Sequence, residues 1–335
     1  MRSPLGRKSA KNKALDPLAA ILCTANPSKP RPRCLVSVME WKQLPYKYPK
    51  PDLNSDTVVR QSTINQITLC GYRKLLEGQE GYLDAVSEPM AYGSCVHYII
   101  ARHLELGEIP HHDIQSMDVW VGQMLEEDYG WSLSQVPSPR DFFAEIEASY
   151  AQWRSVVLPT LPPLITQEEE MWMYLGEGRT SNWDTDTANN IYLKGTPDAV
   201  FEGVVVDWKT SGRAWKETKA HKAIQADLYM ALVKQNLGVS IRDWVFWVYN
   251  RRGRVWEAVP TKRRIKDINA SILRAYDYGL ALEAEILPAT PFTDTFGELK
   301  RGWYCSAKYC GAWNICPAKF MHDDVNENEI AVRSW

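Results

Sequence analysis

Apolar and polar positions change their spacing along the chain, and the changes divide it into three stretches. Residues 1–52 show no sustained period, with lysines and arginines alternating with Pro27, Pro30, Pro32, Pro45, Pro49 and Pro51. A segment without an apolar face has nothing to fold around, so this basic, proline-rich stretch is expected to be mostly disordered. A solvated tail, or upstream sequence ahead of a start at Met39, is expected over a functional basic arm or a transit-like leader. From Ser62 the period becomes helical. Ser62 suits an N-cap, and Ile64, Ile67 and Cys70 follow three apart on one face, which puts Cys70 on the buried side. Further helices are expected over Tyr92–Leu106, Val119–Asp128 and Arg140–Val157, the last ended by Pro159, Pro162 and Pro163.

Beyond those prolines the pattern becomes strand-like. Glu168–Leu175 and Asn190–Leu193 read as strands on either side of a polar turn over Gly178–Asn189. Val200-Phe201 and Val204–Lys209 form a hairpin around Glu202-Gly203. A helix over His221–Leu232 follows, then an aromatic and β-branched strand over Trp244–Tyr249, a basic turn at Arg251–Arg254, another strand, and a helix over Ile265–Ala284. The expected architecture is α/β (α+β), a mixed central sheet flanked by helices. One domain would span 53–320, with an all-helical part at 62–158, a sheet core at 165–285, a cysteine-bearing segment at 300–318 and a tail at 321–335.

With 45% hydrophobic residues in 335, the chain can bury a substantial core. No run approaches the roughly 20 apolar residues that span a bilayer, and Leu18–Cys23 is too short for a signal-peptide core, so a cytoplasmic protein is expected. Seven cysteines make an odd count, and the three at the back are too tightly spaced for a disulfide framework, which favours metal ligation in a reducing compartment. The net charge of −2 hides an asymmetry: residues 1–50 carry eleven Lys/Arg against two acids, the remainder 28 against 39. An acidic body argues against a broad non-specific DNA-binding surface, so nucleic acid would be held by local basic patches.

The candidate chemistry lies in the sheet core. Residues two apart in a strand share a face, so Asp207 and Lys209 project together while Trp208 points into packing. Asp198, in the turn Gly195-Thr-Pro-Asp198, would add a second carboxylate from the end of the preceding strand. Oxygen ligands of this kind suit Mg²⁺ or Mn²⁺. The lysine would position or deprotonate an attacking water, or offset charge on a phosphorane-like transition state. Asp-x-Lys alone is weak, because opposite charges two apart are common on solvated strands. The ordered set is stronger: Gly93-x-x-x-His97 on an early helix, Glu168–Glu170, Gly195–Asp198, Asp207-x-Lys209, then Gln225-x-x-x-Tyr229 on one helical face.

That set resembles the PD-(D/E)XK nuclease superfamily, most closely its RecB-like branch, which includes CRISPR-associated four-cysteine exonucleases, AddB-type nuclease domains and phage-encoded relatives. The resemblance spans about Ser62 to Cys316 and implies a restriction-endonuclease-like fold. It implies metal binding by His97, Asp198 and Asp207, a catalytic Lys209, and support of the site and DNA by Gln225 and Tyr229, with one of Glu168–Glu170 as an outer acid. Asp207 stands where glutamate is also common, a change the family tolerates.

Cys70 with Cys305-x4-Cys310-x5-Cys316 offers four thiolates, which suit either a [4Fe-4S] cluster or structural Zn²⁺; spacing does not choose. The resemblance does, implying a [4Fe-4S] cluster that ties the chain ends together, although the x4 gap is longer than the common x2. Basic groups at Arg251–Arg254, Lys262–Lys266 and Arg213, Lys216, Lys219 and Lys222 are candidates for tracking a phosphate backbone, and exposed tryptophans among the fourteen for stacking bases. The expected function is a metal-dependent DNA exonuclease in recombination, repair or end processing. The alternatives are a CRISPR spacer-processing nuclease working with integration proteins, and a non-catalytic cluster-bearing DNA- or partner-binding module.

Overall fold

A computed structural model describes residues 51–53, 55–82, 87–107, 122–123, 126, 138–178, 189–284, 305 and 310–316, apart from the side chain of Tyr72. These residues belong to one unit of the chain, Pro45–Trp335. It opens with β1 (Thr57–Arg60), α1 (Gln61–Leu76), α2 (Glu88–Leu106) and α3 (Pro139–Gln152). α3 runs on through a π-helical stretch, Trp153–Val157, and a 3₁₀ turn, Leu158–Thr160, that carries Pro159 near its start and is followed by Pro162 and Pro163. β2 (Leu164–Gln167), β3 (Met171–Glu177), β4 (Asn190–Gly195), β5 (Ala199–Phe201) and β6 (Val204–Ser211) follow. The chain continues through α4 (Glu217–Lys222), α5 (Ile224–Leu237), β7 (Asp243–Asn250), β8 (Val255–Thr261) and α6 (Ile265–Glu283).

The strands form two mixed sheets flanked by helices, ordered β1-β4-β3 and β2-β5-β6-β7-β8. β1 is parallel to β4 and β6 to β7; the remaining pairs are antiparallel. The sheets join along a shared hairpin. One ladder ends with Gln167 opposite Ala199, and the other begins with Met171, four residues on, opposite Gly195, four residues back. Register therefore persists across a gap in which residues 168–170 and 196–198 do not pair as strands. Glu168 turns the chain there with φ 46, and its amide is shared between the carbonyls of Pro197 (3.1 Å) and Asp198 (3.3 Å). A non-glycine residue in this left-handed region is uncommon and marks a local constraint.

Alternation along β6 sends its two faces to different jobs. Trp208 enters the core under α2 and α3, edge-on to Trp153 at 5.8 Å and to Trp256 at 6.4 Å, with Tyr92 stacked on Tyr249 at 6.4 Å nearby. Asp207 and Lys209 face the other side, beneath α5, where Tyr229, Trp244 and Phe246 make successive ring contacts at 6.0 and 5.4 Å. At the end of β7, Arg251 clasps the helices: its guanidinium donates to Glu88 and Glu145 over 2.7–3.1 Å and lies 4.0 Å over the Tyr92 ring.

Several expectations change. A strand that was not expected, β1, precedes the helical part and extends the smaller sheet through parallel pairing with β4. The strand expected from Glu168 begins at Met171, because the bend takes 168–170. The helix expected over His221–Leu232 is two, α4 and α5, separated at Ala223. α1 is broken at Cys70 (φ −161, ψ 106), so this half-buried residue sits in a kink and not on a continuous buried face. The helix expected over 119–128 falls mostly outside the described residues, as do Cys23 and Cys34.

Candidate active site

The bend in the shared hairpin builds the site. β5 and β6 pair Ala199 with Val206, which sets Asp198 opposite Asp207 at the ladder's end. The Trp208 amide donates to Asp198 Oδ2 at 2.7 Å, fixing that carboxylate against β6. From α2, His97 Nδ1 comes within 3.5 Å of the same oxygen. Glu168 completes a group: ligand atoms of His97, Glu168 and Asp198 lie within 4.8 Å of one another. Asp207 stands behind them, its side chain 1% exposed, with Lys209 Nζ 2.6 Å from Oδ2 and Gln225 Nε2 donating to Oδ1 at 2.6 Å. Oδ2 accepts no well-aligned hydrogen bond among the described residues, so the ion pair is its partner and a lone pair remains for a cation. Lys209 is 27% exposed, so its ammonium reaches solvent while the Asp207 carboxylate is buried behind it.

α5 must come close for Gln225 and Tyr229 to serve this cluster, and Gly195 permits it. A Cβ there would fall 2.6 Å from Leu232 Cδ1 and 2.7 Å from Tyr229 Cε1. The break before α5 is held by Arg263, whose guanidinium donates to the carbonyls of His221 (2.6 Å), Ala223 (2.7 Å) and Ala220 (2.8 Å). That satisfies carbonyls at the end of α4 and sets where α5 starts, one residue before Gln225.

The electrostatics favour a divalent cation. Burial, then the charge of Asp198, pushes Glu168 up to about 7. Burial also raises Asp207, to about 6, and Asp198 adds to the rise while Lys209 opposes it. Burial would raise Asp198 too, but His97, Lys209 and the Trp208 amide outweigh it and hold the carboxyl below its ordinary value. For His97 and Lys209, burial works downward and the carboxylates overcome it, so both are raised. Carboxyls that resist ionising together around one imidazole fit a divalent ion well. Burial, then Asp207 and Asp198, lifts the Tyr229 phenol to about 12, keeping it protonated at neutral pH.

All six residues singled out as the sheet-core site, His97, Asp198, Asp207, Lys209, Gln225 and Tyr229, therefore lie in one neighbourhood. The three-residue ligand group contains Glu168 where the sequence suggested only one of Glu168–Glu170; Glu169 accepts from Thr166, and Glu170 pairs with Lys194. Arg263 was hidden in a basic run, and nothing local in the sequence distinguishes it from its neighbours. Arg251 and Arg263 turn inward and are spent on protein partners, so they leave the basic groups expected to track phosphate.

At the chain ends, Cys305 is buried and Cys70, Cys310 and Cys316 are half-buried. The turn over 310–316 is closed by Trp313 donating to Cys310 O and Cys316 to Ala312 O. It packs near the end of α1: a Cβ on Gly81 would fall 2.8 Å from Ile315 Cγ2, and Arg73, three residues past Cys70, lies in the neighbourhood of Cys310.

A bent mixed sheet with an Asp, an Asp-x-Lys and a helix-borne Gln and Tyr defines a nuclease class, and comparison agrees. Residues 60–317 match the PD-(D/E)XK nuclease superfamily, and the chain belongs to it. Among solved structures, it is similar to a candidate exonuclease from Eubacterium rectale (12% identity, covering 68% of this chain and 82% of that one, TM-score 0.44). It is also similar to SSO0001 (16% identity, 74% and 94% covered, TM-score 0.30). A third likeness is to Scheffersomyces stipitis Rai1 (11% identity, 72% and 64% covered, TM-score 0.27). Comparison with curated proteins returns no match. No helix among the described residues is long and apolar enough to cross a membrane.

Proposed function

We propose that the protein is a DNA exonuclease dependent on Mg²⁺ or Mn²⁺, acting on DNA ends in recombination or repair. The observation that carries this reading is the juxtaposition of His97, Glu168 and Asp198, with ligand atoms within 4.8 Å, and the Asp207–Lys209 pair at 2.6 Å. His97, Glu168, Asp198 and Asp207 would hold the metal, with nitrogen and oxygen donors suited to Mn²⁺ as well as Mg²⁺. The bound ion supplies Lewis-acid polarisation of the phosphoryl group and a lowered pKa for water. Lys209, kept protonated by Asp207 and Asp198, donates to the attacking water or to the phosphoryl oxygen as negative charge grows there. Gln225 holds the orientation of Asp207, and Tyr229 contributes a neutral phenol near the Asp207 and Asp198 carboxylates.

The reading includes a [4Fe-4S] cluster on Cys70, Cys305, Cys310 and Cys316. It rests on the four cysteines of the sequence, with the approach of the 310–316 turn to Gly81, just past the end of α1, beside it. Four thiolates suit such a cluster, which would tie the front of the domain to its back.

The test of the exonuclease reading compares linear and covalently closed circular DNA, single- and double-stranded, with Mg²⁺, Mn²⁺ or EDTA. Digestion of linear DNA alone, abolished by EDTA, is expected. Equal cutting of closed circles would replace the exonuclease by an endonuclease, and binding without cutting would remove catalysis from the reading.

A further inference from the structure

The loop and short helix after β6 carry a feature that the catalytic cluster does not use. In the parallel ladder of β6 and β7, Asp207 is the partner of Phe246, so the Phe246 side chain shares the catalytic face of the sheet. The Trp215 ring packs on Phe246, with centroids 5.3 Å apart and planes at 45°. On Trp215, in turn, rides the ammonium of Lys219, 3.8 Å from the ring centroid. A continuous stack of side chains thus runs from β7, the strand beside the catalytic one, to a lysine at the rim of the site.

Two observations separate Lys219 from the other basic residues of this segment. Arg213, Lys216, Lys219 and Lys222 are all exposed, but among the described residues Lys219 alone of the four has an aromatic tether, held over a ring that is itself packed on the sheet. Partial burial, and after it the nearby charge of Lys209, lowers its pKa, so the two ammonium groups are close enough to repel. Among the described residues no carboxylate lies within ion-pairing distance of it; Asp207 is the carboxylate that Lys209 pairs with. Two neighbouring cations, one neutralised inside the catalytic cluster and the other presented at its rim on a rigid base, match an anion that reaches past the reacting centre. A nucleic-acid strand has that form, with one phosphate at the scissile position and further phosphates along its length. Lysine suits the second position because it binds phosphate as a point charge and demands no particular base.

We propose that Trp215 and Lys219 form a phosphate-holding subsite for the DNA strand flanking the scissile bond. This rests on the nuclease reading given above and deepens it. The subsite sets affinity and register without reading sequence, and its contribution falls with salt as counterions compete.

The experiment measures binding of a fluorescent single-stranded oligonucleotide by anisotropy, with Ca²⁺ replacing Mg²⁺, from about 50 to about 200 mM salt. Wild type, Lys219→Gln, Lys219→Arg and Trp215→Leu are compared, and KM and kcat are then measured in Mg²⁺. Lys219→Gln is expected to reduce the slope of log Kd against log salt by about one and to raise KM roughly 5- to 10-fold, with kcat less affected. Lys219→Arg should keep the slope. Trp215→Leu keeps the charge but loses its base, so KM should rise while the slope stays. A wild-type slope in Lys219→Gln would overturn the subsite, whether or not the wild type cuts. A wild type that shows the Lys219-dependent slope without cutting would uphold the subsite and overturn the nuclease reading.

Discussion

Replacing Gln225 with alanine removes a single donor, and the structure says what that should cost. Gln225 Nε2 lies 2.6 Å from Asp207 Oδ1 in a site where the carboxylate side chain is 1% exposed, so no solvent replaces the lost bond easily. A hydrogen bond to a charged group contributes about 1.5–3 kcal/mol. At 1.36 kcal/mol per pKa unit, its loss raises Asp207 by about one to two units. Burial already holds this carboxyl up at about 6, so the variant carries a proton there at neutral pH. A divalent ion must then displace that proton. The Mg²⁺ concentration for half-maximal digestion should rise roughly 3- to 25-fold near pH 6.5 and hardly at all near pH 9, where both proteins are largely ionised. Initial rates of oligonucleotide digestion, titrated with Mg²⁺ at both pH values, give the comparison. An equal rise at the two pH values, or none at either, would refute the reasoning, because the effect would then not pass through the protonation of Asp207.

Other outcomes follow from the same structure. Metal-free protein should become more stable on acidification from about pH 8 to about pH 5. Glu168, at about 7 in the fold, Asp207, at about 6, and the raised His97 all bind protons more tightly folded than unfolded, and that stability is lost as pH rises through their folded values. The depressed Asp198 acts in the opposite sense, and only as pH falls below its ordinary 3.8. Thermal unfolding across this range in EDTA checks the sign, and saturating Mg²⁺ should flatten or reverse the trend. Arg251→Ala leaves Glu88 and Glu145 facing each other and strips a cation from Tyr92, which should cost about 2–4 kcal/mol in urea unfolding. A loss below about 0.5 kcal/mol would show that the clasp is a surface feature. Cys310→Ser, purified anaerobically, should lose the broad visible absorption near ~400 nm expected of the wild type. A colourless wild type carrying zinc would replace the cluster with a structural metal.

The residues with chemistry were legible in the sequence because their spacing is local. Asp207-x-Lys209 shares a strand face and Gln225-x-x-x-Tyr229 a helix face, and both periods are fixed by backbone geometry. Most helices and strands were legible for the same reason. What escaped depends on contacts distant in sequence. β1 is four residues long and exists through pairing with β4, more than a hundred residues on. Glu168 was one of three adjacent acids, and only the bend that gives it a left-handed backbone selects it as the partner of His97 and Asp198. Arg251 and Arg263 look like their solvated neighbours until Glu88, Glu145 and the carbonyls of 220–223 are brought to them. The kink at Cys70 violates the period that placed it on a buried face, and the adjacent Gly71, a poor helix former, is the local sign of a break that the period outweighed.

The most direct measurement is digestion of end-labelled single- and double-stranded DNA by wild type and Lys209→Ala, each with and without Mg²⁺ or Mn²⁺. The account predicts metal-dependent shortening from DNA ends by the wild type. In the variant, which keeps every proposed metal ligand and loses only the ammonium, the rate should fall by about 10²–10³-fold. Cutting by the wild type that survives both EDTA and the loss of Lys209 would contradict it, since neither the metal cluster nor the lysine could then be the source of the activity.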